Sequence, residues 1–121
     1  MEVFFKVSEE ILIANVRGEI DHHSAAPLRK TIDSSMKEFG CRNLVLDLKG
    51  VEFMDSSGIG VALGRYKKLA KRGGRICISG CSPSIRKVLD MAGVFSLIPE
   101  MQNAADAVAL LSGQEQLRME V

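Results

Sequence analysis

The chain has 121 residues, 46% apolar and 26% charged, and its 16 Lys and Arg against 15 Asp and Glu leave a net charge of +1. That length predicts a single domain, residues 1–121, able to bury about two-thirds of its unfolded surface. So even a balance argues against nucleic acid or an anionic membrane as the main partner.

No apolar run is long enough to cross a bilayer, and Met1–Lys6 lacks a basic region followed by a long apolar stretch. The expected location is the cytoplasm. Val3 to Val7 and Ile11 to Val16 are short apolar runs around Ser8-Glu9-Glu10 and predict a β-hairpin. Gly18 to His23 reads as a loop, and Ser24 as the N-cap of a helix that tolerates Pro27 in its first turn. Leu28, Ile32, Met36 and Phe39 recur at helical spacing, and Gly40 ends that helix.

Leu44 to Leu48 is almost wholly apolar, as an interior strand covered on both faces should be. A short loop then leads to Asp55, and a helix runs from there to about Arg72. Its expected apolar face is Ile59, Leu63, Tyr66 and Ala70, with the basic residues from Arg65 to Arg75 solvated. Ile76 to Ile78 is the next strand. Ser82-Pro83 starts another helix, with Ile85, Val88, Leu89 and Ala92 on its apolar face and Gly93 at its close. Ser96 to Ile98 reads as a short strand, Asn103 as the cap of a last helix through Leu111, and 114–121 as a polar tail. The order β-β-α-β-α-β-α-β-α predicts an α/β fold: a mixed, mostly parallel sheet of about five strands with about four helices. Cys41, Cys77 and Cys81 read as buried free thiols, not a disulfide framework.

The most informative run is Asp55-Ser56-Ser57-Gly58-Ile59-Gly60. It places two hydroxyls at a helix start, where free N–H groups and the positive dipole end favour an anion. Simple capping by Asp55 or Ser56 is the plainer reading. Gly58 and Gly60 each cost about 1 kcal/mol in a helix relative to alanine, so something must come close to them. With Gly64 they form a small-residue strip, explained in part by packing and in part by a partner surface.

Enzymatic readings fail. The glycines make no dinucleotide fingerprint, lacking an acid about twenty residues on, and there is no P-loop lysine. Ser57 has no glycine two residues before it, so a hydrolase elbow is absent. The only candidate bases, His22 and His23, are expected to point apart. Neither the histidine pair nor Cys77 with Cys81 completes a metal set. No cofactor is expected. Asp21, a loop acid, reads as a cap for the first helix.

At Gly18-Glu19-Ile20-Asp21-His22-His23-Ser24-Ala25 and Phe53 to Val61 the chain resembles the bacterial anti-sigma factor antagonists, which share the STAS domain. Leu63 to Lys67 and Leu89 to Phe95 continue the match across nearly the whole chain, nearest to the sporulation (sigma-F) branch. The resemblance implies a non-enzymatic partner switch. Its unphosphorylated form binds an anti-sigma factor that is also a serine kinase, and a PP2C-type phosphatase reverses the kinase's mark. It also implies that Ser56, after the aspartate, is the acceptor in preference to Ser57. The implied partner surface is Asp21, His22, His23, Ser24, Asp55, Ser56, Ser57, Gly58, Ile59, Gly60 and Gly64, on a chain that is a monomer when free. The alternatives are a STAS regulator of another system, such as general stress, and a small nucleotide-binding module.

Overall fold

The computed structural model describes residues 1–113; the expected tail, 114–121, lies outside them. In chain order the elements are β1 (Glu2–Ser8), β2 (Ile11–Ile20), α1 (Ala25–Glu38), β3 (Asn43–Met54), α2 (Ser56–Ala70), β4 (Ile76–Ser79), α3 (Pro83–Met91), a 3₁₀ turn (Val94–Ser96), β5 (Glu100–Met101) and α4 (Ala104–Leu111). The strands lie side by side in the order β1-β2-β3-β4-β5, with β1 antiparallel to β2 and every other pair parallel. The element order and the mixed sheet are those expected.

Both faces of the sheet are used. Leu12, Ala14, Leu44, Leu46 and Ile78 pack with Leu28 and Ile32 of α1, Val61 and Leu69 of α2, and Ile85 and Leu89 of α3. On the other face Ile11, Val45 and Cys77 meet Ala107 and Leu111 of α4. The alternation of Leu44, Val45 and Leu46 between the two clusters explains why β3 reads as an unbroken apolar run: period-two side chains find a core on either side.

Several boundaries differ from expectation. β2 continues through Gly18–Ile20, which reads as loop in the sequence, and β3 continues to Met54 with no loop before α2. Register shifts between Asn15 and Arg17 and between Gly18 and Glu19 keep the two strands paired to Ile20 and Met54. The extra residues lie on β3, and Gly18 beside the second shift has φ +98°, a conformation that favours glycine. Ser96–Ile98 is not a strand. Val94–Ser96 forms a 3₁₀ turn after Gly93 (φ +76°), from which Val94 and Ile98 both enter the core, and the last strand is Glu100–Met101.

Helix faces also shift. Phe39, just past α1, is 53% exposed. The buried stripe of α2 is Gly58, Val61, Ala62, Arg65 and Leu69, so the true face is rotated from the one expected. Ile59, Leu63 and Tyr66 are only half-buried and Ala70 is exposed; on α3, Val88 is half-buried and Ala92 exposed. Among the described residues no helix is long and apolar enough to cross a membrane.

Candidate functional site

The carboxyl ends of β2 and β3 lie in register, Ile20 opposite Met54, and the Asp55 N–H donates to the Ile20 carbonyl at 3.2 Å. That bond joins the two loops singled out in the sequence. Asp21 to Ser24 and Asp55 to Gly60 therefore form one surface at the carboxyl edge of the sheet, where ligands and partners gather in open α/β folds.

In the first loop the capping acid is Asp21. Its Oδ1 accepts the N–H groups of His23 at 2.9 Å and Ser24 at 3.0 Å. Ser24 occupies the N-cap position with helical backbone angles, but its side chain makes no cap bond. Its hydroxyl instead accepts from the Asp21 N–H and donates to the Glu19 carbonyl, both at 3.0 Å. The backbone N–H of Ser24, with that of His23, holds the Asp21 carboxyl below its ordinary range because both bonds favour the charged form. His22 and His23 are exposed and do not diverge; their rings lie 3.9 Å apart between centroids, tilted by 39°.

In the second loop Asp55 is extended and its Oδ1 accepts the Ser57 N–H at 2.8 Å. Its carbonyl accepts the Gly58 N–H at 3.0 Å. Asp55 thus caps α2. Ser56, the first residue of the helix, is exposed, and no hydrogen bond among the described residues engages its hydroxyl. Ser57 is half-buried.

The three glycines separate. Gly58 is buried, and a Cβ there would collide with the Met54 side chain and come within 3.2 Å of Ile20 Cγ2. Its small size serves packing of α2 on the strand ends, so it is not an exposed contact as the motif implies. A Cβ at Gly60 or Gly64 would meet nothing within 4 Å. Ser56, Gly60 and Gly64 are four apart and so share one line along the helix. Ile59 packs half-buried against the core beside that line.

An open depression of about 500 Å³ adjoins the first loop and includes Gly18, Glu19, Asp21, His23 and Glu52. Glu19, Asp21 and Glu52 bring carboxyl groups to it, together with Met1 of the N-terminus. Among the described residues no group of three or more His, Cys, Asp or Glu side chains could hold a metal.

One feature escaped the sequence. Arg65, expected on the solvated basic face, is buried, and its Nε lies 3.1 Å from Asp33 Oδ1 of α1. Lys68 Nζ meets the other Asp33 oxygen at 3.1 Å. Burial lowers the Arg65 pKa and Asp33 offsets part of that. These contacts tie α2 to α1. Gly58, Val61, Ala62, Arg65 and Leu69 share helical spacing, but so do Ile59, Leu63, Tyr66 and Ala70, so spacing alone does not choose the face. Cys41 and Cys77 are buried and Cys81 half-buried, all free; burial pushes the Cys77 thiol up to about 11 and, helped by Glu100, the Cys81 thiol up to about 12. Neither is a nucleophile at neutral pH.

A family model described as the STAS domain matches residues 3–107. The chain is 39% identical over 101 residues to the anti-sigma F factor antagonist of Paenibacillus polymyxa, spanning 84% of this chain and 86% of that one. It is 34% identical over 98 residues to the anti-sigma-B factor antagonist of Bacillus subtilis, spanning 81% and 88%. Among solved structures, the anti-sigma factor antagonist SpoIIAA in its unphosphorylated form superposes with a TM-score of 0.79 at 26% identity, over 93% of this chain and 97% of that one. The phosphorylated form of the Bacillus cell fate determinant SpoIIAA gives 0.69 at 27% identity, over 88% and 96%.

Proposed function

This chain belongs to the STAS-domain family, and on that premise we propose that it is an anti-sigma factor antagonist whose grip on its partner is governed by phosphorylation of Ser56. The unphosphorylated surface of Asp21–Ser24, Asp55–Ser57, Ile59, Gly60 and Gly64 holds an anti-sigma factor with serine kinase activity, and the sigma factor is released. The kinase transfers the γ-phosphoryl group of ATP to Ser56 Oγ, breaking the β,γ-bridge P–O bond so that ADP leaves, while the hydroxyl proton passes to a base of the kinase. A PP2C-type phosphatase returns the serine. The chain supplies only the acceptor, so it is not itself an enzyme, and it works in the cytoplasm.

The observation that carries this reading is the exposed hydroxyl of Ser56, left unengaged because Asp55 caps the helix. Its neighbour Ser57 is half-buried and a poorer substrate for another protein's active site. A phosphate on Ser56 adds about −1.5 to −2 charges at pH 7. The α2 N-terminus stabilises it where it stands. Beside Asp55 and the Asp21 loop it turns a contact surface into a concentrated anion. A partner fitted to a neutral hydroxyl and to open glycine backbone meets bulk and uncompensated charge. The switch therefore acts on the surface and leaves the core in place.

The 39% relative favours the sigma-F system, whereas the 34% relative gives the sigma-B system as a second reading. The test mixes the protein with each anti-sigma kinase, ATP and Mg²⁺, and maps phosphate by mass spectrometry. Stoichiometric phosphate on Ser56 with one kinase assigns both acceptor and system. Absence of phosphate on Ser56 and Ser57 with every kinase tried would overturn the proposal.

A further inference from the structure

We propose that the outer edge of β1 pairs with β1 of a second copy of this chain, in an antiparallel register centred on Phe4. β1 is an edge strand, and among the described residues only β2 pairs with it. Such an edge offers a row of unpaired N–H and C=O groups. The sheet face beside it is also half covered. α4 packs over Ile11, Val45 and Cys77, leaving a groove of about 520 Å³ lined by Phe4, Lys6, Ile13, Asn15 and Arg17. Phe4 is 47% exposed and carries the Arg17 guanidinium 4.7 Å from its ring centre.

The parity of the hairpin fixes which registers are possible. Ser8 pairs with Ile11 across a two-residue turn in which Glu9 has φ 55°. In such a hairpin the closing pair exchanges both main-chain bonds, and the pattern alternates from there. Ser8, Lys6, Phe4 and Glu2 thus direct their main-chain groups at β2, while Val7, Phe5 and Val3 direct theirs outward. A two-fold register about Phe4 sets Val3 opposite Phe5 of the second copy, so outward groups meet outward groups. Phe4 then faces Phe4 as a non-bonded pair, in which side chains stand closest.

The side chains agree with that register. Glu2 falls opposite Lys6 of the second copy, and Lys6 opposite its Glu2. Shifting the two-fold by one residue in either direction preserves the hydrogen-bond parity but sets Phe4 against Lys6 or against Glu2. Edge lysines ordinarily discourage strand addition. Here the lysine rejects a generic strand and accepts this one, because only this register brings it a carboxylate. The strand is therefore self-complementary in charge, in aromatic pairing and in main-chain polarity, and a second copy is the occupant it fits. The monomer expected from the sequence is the dilute end of this equilibrium. The joined edge lies two strands away from the β3–α2 junction, so Ser56 stays open.

Sedimentation velocity of the full chain, from about 1 µM to about 1 mM, tests it. The mass should rise toward a dimer. Lys6→Glu or Glu2→Lys alone should weaken the dimer about tenfold, since each puts like charges opposite one another twice per dimer. The double variant E2K/K6E should restore it. Independently, Phe4→Cys should give a disulfide-linked dimer under mild oxidation, whereas Lys6→Cys should not, because position 6 lies about four residues from its own copy in this register. A monomer at all concentrations, a dimer indifferent to the single reversals, failure of the double variant to restore it, or cross-linking at position 6 in place of position 4 would each overturn the proposal.

Discussion

The helices at the β3–α2 and β4–α3 junctions each begin beside a serine, and the two serines differ in what their hydroxyls do. At the β4–α3 junction Ser82 is the cap: its Oγ accepts the Ile85 N–H at 3.3 Å and lies 3.2 Å from Ser84 Oγ. At the β3–α2 junction the cap is Asp55, one residue earlier, and Ser56 stands exposed with its hydroxyl unengaged. Either arrangement satisfies the orphan N–H groups of a helix start. The lesson is that a carboxylate placed one residue ahead takes over the structural task and leaves the hydroxyl for chemistry.

The largest effect should come from charge at the two serines. Ser56→Glu, or phosphorylation, should weaken the anti-sigma partner about 100-fold or more, since like-charge juxtaposition at an interface costs several kcal/mol. The melting temperature should hardly move. Ser82→Glu should leave partner affinity intact. Surface plasmon resonance on the three proteins decides it, and equal losses at both serines would break the comparison.

Next in size are the glycines of the same helix start. Gly58→Ala puts a methyl group against Met54 and Ile20 and should cost about 1–3 kcal/mol of stability through overpacking. Gly60→Ala meets open space and should gain up to about 1 kcal/mol from helix propensity. If Gly60 serves close approach by a partner, that more stable variant should also bind less well. Urea denaturation paired with binding assays separates the two glycines. A gain in stability without loss of binding would remove Gly60 from the partner surface.

Smaller again is truncation of each hydroxyl. Ser82→Ala should cost about 1 kcal/mol, the usual value for a lost cap. Ser56→Ala should stay within about 0.5 kcal/mol, as surface changes away from such features do. Chemical denaturation measures both. A similar cost at Ser56 would mean that its hydroxyl supports the helix after all.

This contrast was only half legible in the sequence. Helix starts, the order of elements along the chain and the mixed sheet follow from local patterns: apolar period, caps at Ser82 and Asn103, and glycine stops. Asp55 and Ser56 are adjacent candidates for one cap, and sequence alone leaves the choice between them open. The answer depends on where β3 ends, and that depends on the two extra residues β3 takes up in its pairing with β2, which is long-range. The same reason hid the true face of α2. Both of its sides carry apolar residues, and only the packing of α1 reveals that Arg65 faces inward to Asp33. The close, tilted approach of the His22 and His23 rings is likewise set by the turn of the loop backbone and invisible to spacing.

The smallest effect concerns the other loop, where the capping acid and the candidate contact are one residue. The N–H of Ser24, with that of His23, lowers the folded-state pKa of Asp21 below its ordinary value of 3.8. A group with a depressed folded pKa contributes stability above its unfolded pKa and loses it as pH falls through the folded value. Asp21→Asn keeps an oxygen that can accept the same bonds but removes the charge. Wild type should therefore exceed the variant in stability by a constant margin at neutral pH, and the margin should shrink steadily below the ordinary carboxylate range. Urea midpoints taken from pH 7 downward give the curve. A margin independent of pH would mean that the carboxylate charge does not support the loop. A partner affinity that falls at neutral pH by more than that loss of stability can explain would assign the charge of Asp21 to recognition, whereas the Asp55 carboxylate serves the helix start.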